Sequence, residues 1–112
     1  MAYECNGKTI ETDANGFLLN TEDWSEDLAR HIAEQEAIEL TDRHWDVINY
    51  LRDEYFNNGA SQPNTRTIVK EMGDKWGKRL QQKDVYDLFP KDPSKQGGRI
   101  AGLPESRRKG GY

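Results

Sequence analysis

TDRHWDVINYLRDEYFNNGASQPNTRTIVKEMGDKWG, residues 41–77, holds two helices and the turn between them. Thr41 is a good N-cap, and a helix runs from Asp42 to about Asn58, where Gly59 stops it. Trp45, Ile48, Leu51 and Tyr55 fall on one face at helical spacing, with Val47 and Phe56 at its edges. Pro63 suits the first position of a second helix, 63 to about 76. Its stripe is Ile68/Val69, Met72 and Trp76. Gly73 weakens its middle and Gly77 ends it. Two helices joined by a short glycine-containing turn have helix-turn-helix spacing.

Upstream, Trp24, Leu28 and Ile32 repeat every four residues and predict a helix over about 24–36, with Ala29 and Ala33 on the same stripe. Glu26 and Asp27 stand in its first turn, where the helix dipole favours anions. Tyr3 to Glu11 predicts a β-hairpin, because Asn6-Gly7 supplies the two positive-φ residues of a type I′ turn. A lone hairpin is marginal in water, so this one must pack on the helices. Downstream, residues 82–89 predict a short helix burying Val85, Leu88 and Phe89 and stopped by Pro90. Pro93 opens a last one over 93–99. Beyond Gly102 an extended arm is expected. Gly97 and Gly98 on one side and Gly110 and Gly111 on the other would be its hinges.

The fold class that follows is mainly α: a small helical bundle with a helix-turn-helix-like element, an N-terminal β-hairpin and a C-terminal arm. One domain fits the 112 residues, with hairpin and lead-in over 1–20, bundle over 21–97 and arm over 98–112.

Hydrophobic residues make up 34% of the chain and charged residues 32%, which argues against a membrane protein. No apolar run reaches the roughly 20 residues a spanning helix needs. The start of the sequence has neither a basic segment nor an apolar one, so no signal peptide is expected. One cysteine, Cys5, excludes an internal disulfide, and a cytoplasmic protein is expected. Net charge is −4, unevenly spread: residues 1–54 carry 4 basic and 14 acidic side chains, residues 55–112 carry 12 and 6. Such polarity can steer a partner with opposite patches.

His31 and His44 flank the apolar stripes and read as solvent-edge residues. A structural zinc site needs about four ligands, usually with thiolates, and no such set exists. No phosphate-binding, dinucleotide or nucleophile-elbow motif is present, and Ser25, Ser61, Ser94 and Ser106 have no base near them in sequence. These absences argue against an enzyme, a cofactor, a metal and a small-molecule substrate. The second helix of the helix-turn-helix would present Arg66, Thr67 and Lys70, beside Asn64 and Thr65, to DNA. A DNA-binding regulator is the alternative reading. In the arm, Ile100 and Leu103 beside Pro104 can enter an apolar groove on a partner. Arg99, Arg107, Arg108, Lys109 and the terminal Tyr112 add charge and an aromatic anchor.

Five stretches carry a family resemblance: NGKTIETDANGFL at 6–18, DWSEDLA at 23–29, ELTDRHWDVINYLRDEY at 39–55, LFPKDPSKQGGRIAGLP at 88–104, and the closing GGY. Over nearly its whole length the sequence resembles the DsrC/TusE family of sulfur-relay proteins, sulfite reductase gamma subunits among them. The resemblance implies a helical bundle with a helix-turn-helix-like element, a hairpin and a mobile C-terminal arm. It also implies an arm cysteine next to the C-terminus that carries sulfur, and in many members a second just before the K/R-x-A-G-L-P run. Only a thiolate attacks and transfers sulfur. Here those two positions are Gly98 and Gly111, with 12 residues between them, a longer span than in two-cysteine members. Arg107-Arg108-Lys109 replaces the family's short proline-containing link. The resemblance therefore implies a cysteine-less binding or regulatory member. Such a member docks its arm on sulfite reductase or a Tus/Dsr-type sulfurtransferase without carrying sulfur. A weaker reading makes Cys5 the carrier.

Overall fold

The computed structural model describes residues 2–105. Strands β1 (Ala2–Cys5) and β2 (Lys8–Glu11) pair antiparallel, Tyr3 opposite Ile10, across a turn whose Asn6 and Gly7 both have positive φ, 52° and 78°. That is the two-residue hairpin expected from Asn-Gly. The hairpin buries Ile10, and an isolated bridge between Thr12 and Leu18 closes the loop after it.

Five α-helices follow: α1 (Glu26–Gln35), α2 (Asp42–Asn57), α3 (Thr65–Trp76), α4 (Gln82–Tyr86) and α5 (Pro93–Ile100). Local chemistry sets their starts. Ser25 accepts a hydrogen bond from Leu28 N–H, Asn64 from Thr67 N–H, and Asp92 from Ser94 and Lys95 N–H. Three expected helix boundaries are corrected, two of them by these caps. Trp24 precedes its helix, because Ser25 is the cap; Trp24 follows a short 3₁₀ turn over Thr21–Asp23. Pro63 precedes α3, because Asn64 is the cap. The regular helix of α4 ends at Tyr86, and single turns carry the chain to Phe89, whose N–H reaches Val85 O.

The core is one cluster. Leu28 and Ile32 of α1, Val47, Ile48 and Leu51 of α2, Ile68 and Met72 of α3, Val85 and Phe89 all meet in it. Helix α5 lies at the centre of the bundle and packs on α1, α2 and α3. This revises the predicted arm. Gly97 and Gly98 are not hinges: both are buried inside α5, where a Cβ on Gly97 would lie 3.1 Å from Leu51 Cδ1. Ile100 and Leu103 are 0% and 1% exposed and belong to the chain's own core, so they are not free to enter a partner's groove. Two buried apolar side chains stabilise this placement by roughly 1.5–3 kcal/mol each, and exposing them would forfeit that.

His44 is also corrected. It is buried, at 6% exposure, and caps α2 from within. Thr41 N–H donates to its Nδ1 at 3.0 Å, so Nδ1 is unprotonated and the ring's proton sits on Nε2, 2.9 Å from the carbonyl oxygen of Leu88. Its edge-on contact with Phe89 places the ring against the core. Burial lowers the His44 pKa, opposed in part by the bond to Leu88 O. His31 is half-buried, edge-on to Tyr3.

Candidate functional site: the C-terminal turn

The chain leaves α5 through a turn, and residues 100–105 are tied to four other parts of the fold. Trp24 Nε1–H donates to Ile100 O at 2.9 Å. Arg52 Nη1–H donates to Ala101 O at 2.8 Å. Gln62 Nε2–H donates to Pro104 O at 2.9 Å, and Asn15 Nδ2–H donates to both carboxylate oxygens of Glu105 at 3.0 Å. Gly102 makes the turn possible. Its φ is +75°, and a Cβ there would stand 2.2 Å from Trp24 Cδ1, inside the indole.

Arg99 anchors the start of the same segment. Its Nη1–H donates to Glu36 Oε1 at 2.9 Å, and the same oxygen accepts from Gln96 Nε2–H at 2.8 Å. The guanidinium also lies over Phe17, 5.0 Å from the ring centre. With side chains 23% and 11% exposed, Arg99 and Glu36 form a largely buried pair that fixes α5 to the end of α1. Arg99 Nε is the one buried side-chain nitrogen or oxygen without a hydrogen-bond partner among the described residues.

Gly98 differs from its neighbours. It has an ordinary φ, and a Cβ added to it would meet nothing within 4 Å. It borders a slot of about 10 Å³ shared with Phe17, Leu51, Ser94 and Leu103, room for about one water. Packing therefore does not require glycine at 98. Cys5, the sequence's single cysteine, sits elsewhere, half-buried at the end of β1 beside a cleft formed with Lys8, Trp24 and Ser25.

Among the sequence-predicted site residues, Gly98, Arg99, Ile100, Leu103 and Pro104 come together at this turn. Gly111, Arg107, Arg108, Lys109 and Tyr112 lie outside the described residues. Arg66 and Lys70 are exposed on α3 and Thr67 is half-buried, but Lys70 pairs with Asp74 and the side chain of Asn64 is used as the helix cap. Sequence reasoning missed Trp24, Arg52 and Gln62 as partners of the turn. Each is far from it in sequence, so no local pattern marks them.

No helix among the described residues is long and apolar enough to cross a membrane. None of their His, Cys, Asp and Glu side chains form a group of three or more that could hold a metal ion.

Residues 4–108 match the family described as DsrC like protein. The chain is 45% identical over 103 residues to the sulfurtransferase TusE of Yersinia pseudotuberculosis, covering 91% of this chain and 94% of that one. It is 46% identical over 100 residues to TusE of Escherichia coli K12, covering 88% and 91%. Among solved structures, DsrC of Allochromatium vinosum superimposes with a TM-score of 0.86 at 40% identity, covering 96% of each chain. The oxidized gamma-subunit of the dissimilatory sulfite reductase of Archaeoglobus fulgidus gives 0.87 at 35% identity, covering 96% of this chain and 98% of that one. The overall fold is thus shared with these proteins, and the chain belongs to the DsrC/TusE family of sulfur-relay proteins.

Proposed function

We propose that this chain is a cytoplasmic, non-enzymatic member of its family that binds a protein of sulfur metabolism without carrying sulfur itself. The partner is a sulfite reductase or a Tus/Dsr-type sulfurtransferase complex, as the names of its relatives suggest. One observation carries the reading: Gly98 stands where many family members place a thiol, in a slot that would admit a Cβ. The support around that position is intact, but no sulfur-bearing atom remains. Gly111 occupies the second family position, and Cys5 lies on the hairpin. Sulfur transfer needs a thiolate nucleophile.

The docking element is shorter than the sequence suggests. Residues 98–103 are core, so the contact is made by the face around the C-terminal turn together with residues 104–112. Arg107, Arg108 and Lys109 would meet an acidic rim, although surface ion pairs are worth only about 0–1 kcal/mol each.

The test is capture of the purified host sulfite reductase and Tus-type complexes by the immobilised chain. Binding should fall at least tenfold when residues 106–112 are removed and be indifferent to Cys5→Ser. Incubation with a persulfide donor should add no mass step of about 32 Da, one sulfur atom, that partner proteins then remove. Binding to neither complex, or a transferable sulfur on Cys5, would overturn the proposal.

A further inference from the structure

Arg52 is held in an unusual way for a half-buried cation. Its guanidinium lies 3.8 Å from the Trp24 ring centre and 4.8 Å from that of Phe56. Nη1 is tied to Ala101 O. Among the described residues Arg52 makes no ion pair. The carboxylates next to it in sequence are engaged elsewhere: Asp53 accepts from Asn57, and Glu54 from Tyr50 and Asn58. Burial lowers the Arg52 pKa, the mark of a charge partly stripped of water.

The free edge is well defined. Among the described residues Nε and Nη2 have no hydrogen-bond partner, yet neither is sealed from solvent, since Arg99 Nε is the one buried atom in that condition. Nε–H and Nη2–H point the same way and form the fork that takes a carboxylate through two parallel hydrogen bonds. The two rings restrict rotation of the guanidinium, so little freedom is lost on binding. Phe56, 48% exposed, supplies an apolar flank, and the group sits beside the turn from which residues 104–112 continue. Buried-edge arginine and aromatic side chains in contact are the residue types that dominate protein interfaces.

We propose that Arg52 is a docking anchor for an aspartate or glutamate side chain of a partner protein, received on the Nε/Nη2 edge beside Trp24 and Phe56. The inference rests on the reading that this chain acts by binding a protein, and it names the chemistry one contact requires. It is specific to Arg: a lysine offers a point charge and no fork.

The experiment follows the Trp24 indole N–H and Arg52 Nε–H resonances of the ¹⁵N-labelled chain at constant ionic strength, with Trp24 assigned by Trp24→Phe. Three probes are added separately: a blocked Gly-Asp-Glu-Gly peptide, its Gly-Asn-Gln-Gly counterpart, and inorganic phosphate. The acidic peptide should shift both resonances saturably, with an affinity at least fivefold above either other probe. Arg52→Lys should abolish the response. Phe56→Ala, which changes an exposed side chain and should leave the fold intact, should weaken it about threefold, roughly 0.6 kcal/mol. No saturable shift up to about 20 mM peptide, or an equal response to the uncharged peptide, overturns the anchor. A stronger response to phosphate overturns it in favour of a phosphorylated ligand. No sulfur-metabolism protein enters this titration, so its failure leaves the capture experiment standing, and failure of that capture leaves the anchor testable.

Discussion

Alanine at position 98 should stabilise the protein, whereas alanine at position 102 should destabilise it by about 3 kcal/mol. Gly98 is inside α5 with an ordinary φ, and a Cβ there touches nothing within 4 Å. Glycine in a helix interior costs about 0.5–1 kcal/mol relative to alanine, so Gly98→Ala should gain that much. At Gly102 the arithmetic reverses. A left-handed backbone costs an L-residue roughly 1–2 kcal/mol. The new Cβ would also lie 2.2, 2.5 and 2.7 Å from three atoms of Trp24, so the indole must move. Moving it breaks the bond to Ile100 O, worth about 1 kcal/mol, and the stack on Arg52, worth about 0.5–1 kcal/mol. The total loss is about 3 kcal/mol, and the two variants should differ by about 4. Urea denaturation followed by circular dichroism and tryptophan fluorescence measures both, and the melting temperatures should separate by about 15 °C or more. Gly97→Ala, 3.1 Å from Leu51 Cδ1, should fall between them. If Gly102→Ala stays within about 1 kcal/mol of the parent, the turn is not pinned under Trp24. If Gly98→Ala destabilises by as much, the slot beside it is not open. With the slot open, Gly98→Cys should fold about as well as Gly98→Ala and place a thiol at position 98.

Three further perturbations test the surroundings. Glu36→Gln should cost about 2 kcal/mol or more, because it leaves the Arg99 guanidinium without a carboxylate. The loss stays below the 3–5 kcal/mol of a sealed pair since Arg99 is 23% exposed, and Glu36→Leu with Arg99→Met should recover much of it in urea titrations. For His44, the folded pKa is lowered, so above the unfolded value of about 6.5 both states are neutral and the cap contributes fully. As pH falls below that, the unfolded chain takes the proton first and stability drops. Urea midpoints from pH 7.5 to 5 should fall more steeply in the parent than in His44→Gln, and parallel curves would refute the buried neutral ring. Asn64→Ala removes the cap of α3 and should cost about 1 kcal/mol, read from the same titration.

Where the fold was legible in the sequence, short-range chemistry wrote it. Asn6-Gly7 announces its hairpin, and the stripe from Trp45 to Tyr55 announces α2 because both act within a few residues. Trp24 shows how a pattern misleads by one turn: it stands four residues before Leu28, yet Ser25 is the cap, and the indole turns toward a carbonyl 76 residues away. His44 misled for the same reason, since its acceptor, Leu88 O, is 44 residues distant. Gly97 and Gly98 suggested hinges because glycine is permissive in isolation. Asp92 capping the helix, Ile100 and Leu103 filling the core, and Arg99 pairing with Glu36 remove that freedom. Of the candidate site, Gly98 to Pro104 was visible through its motif. The Trp24–Arg52–Phe56 stack was not, because it exists only once the lead-in to α1, helix α2 and the C-terminal turn meet.

The ties on the C-terminal turn bear on the function proposed for it. Trp24, Arg52, Gln62 and Asn15 hold residues 100–105 from four directions, and Arg99 adds a largely buried ion pair. Folding alone does not call for so many fixings at one end of a short chain, because burial of Ile100 and Leu103 already anchors α5. They do fix the position of residue 105, the last described one. A segment launched from a fixed point searches a small volume, so its effective concentration at a site on a bound partner is high, while a loose one dilutes itself. A sulfur-carrying arm needs that aim to deliver a thiol, and a thiol-free arm needs it equally to occupy the same cleft. Retention of the aim beside an unfilled position 98 is therefore what a docking role without transfer chemistry requires.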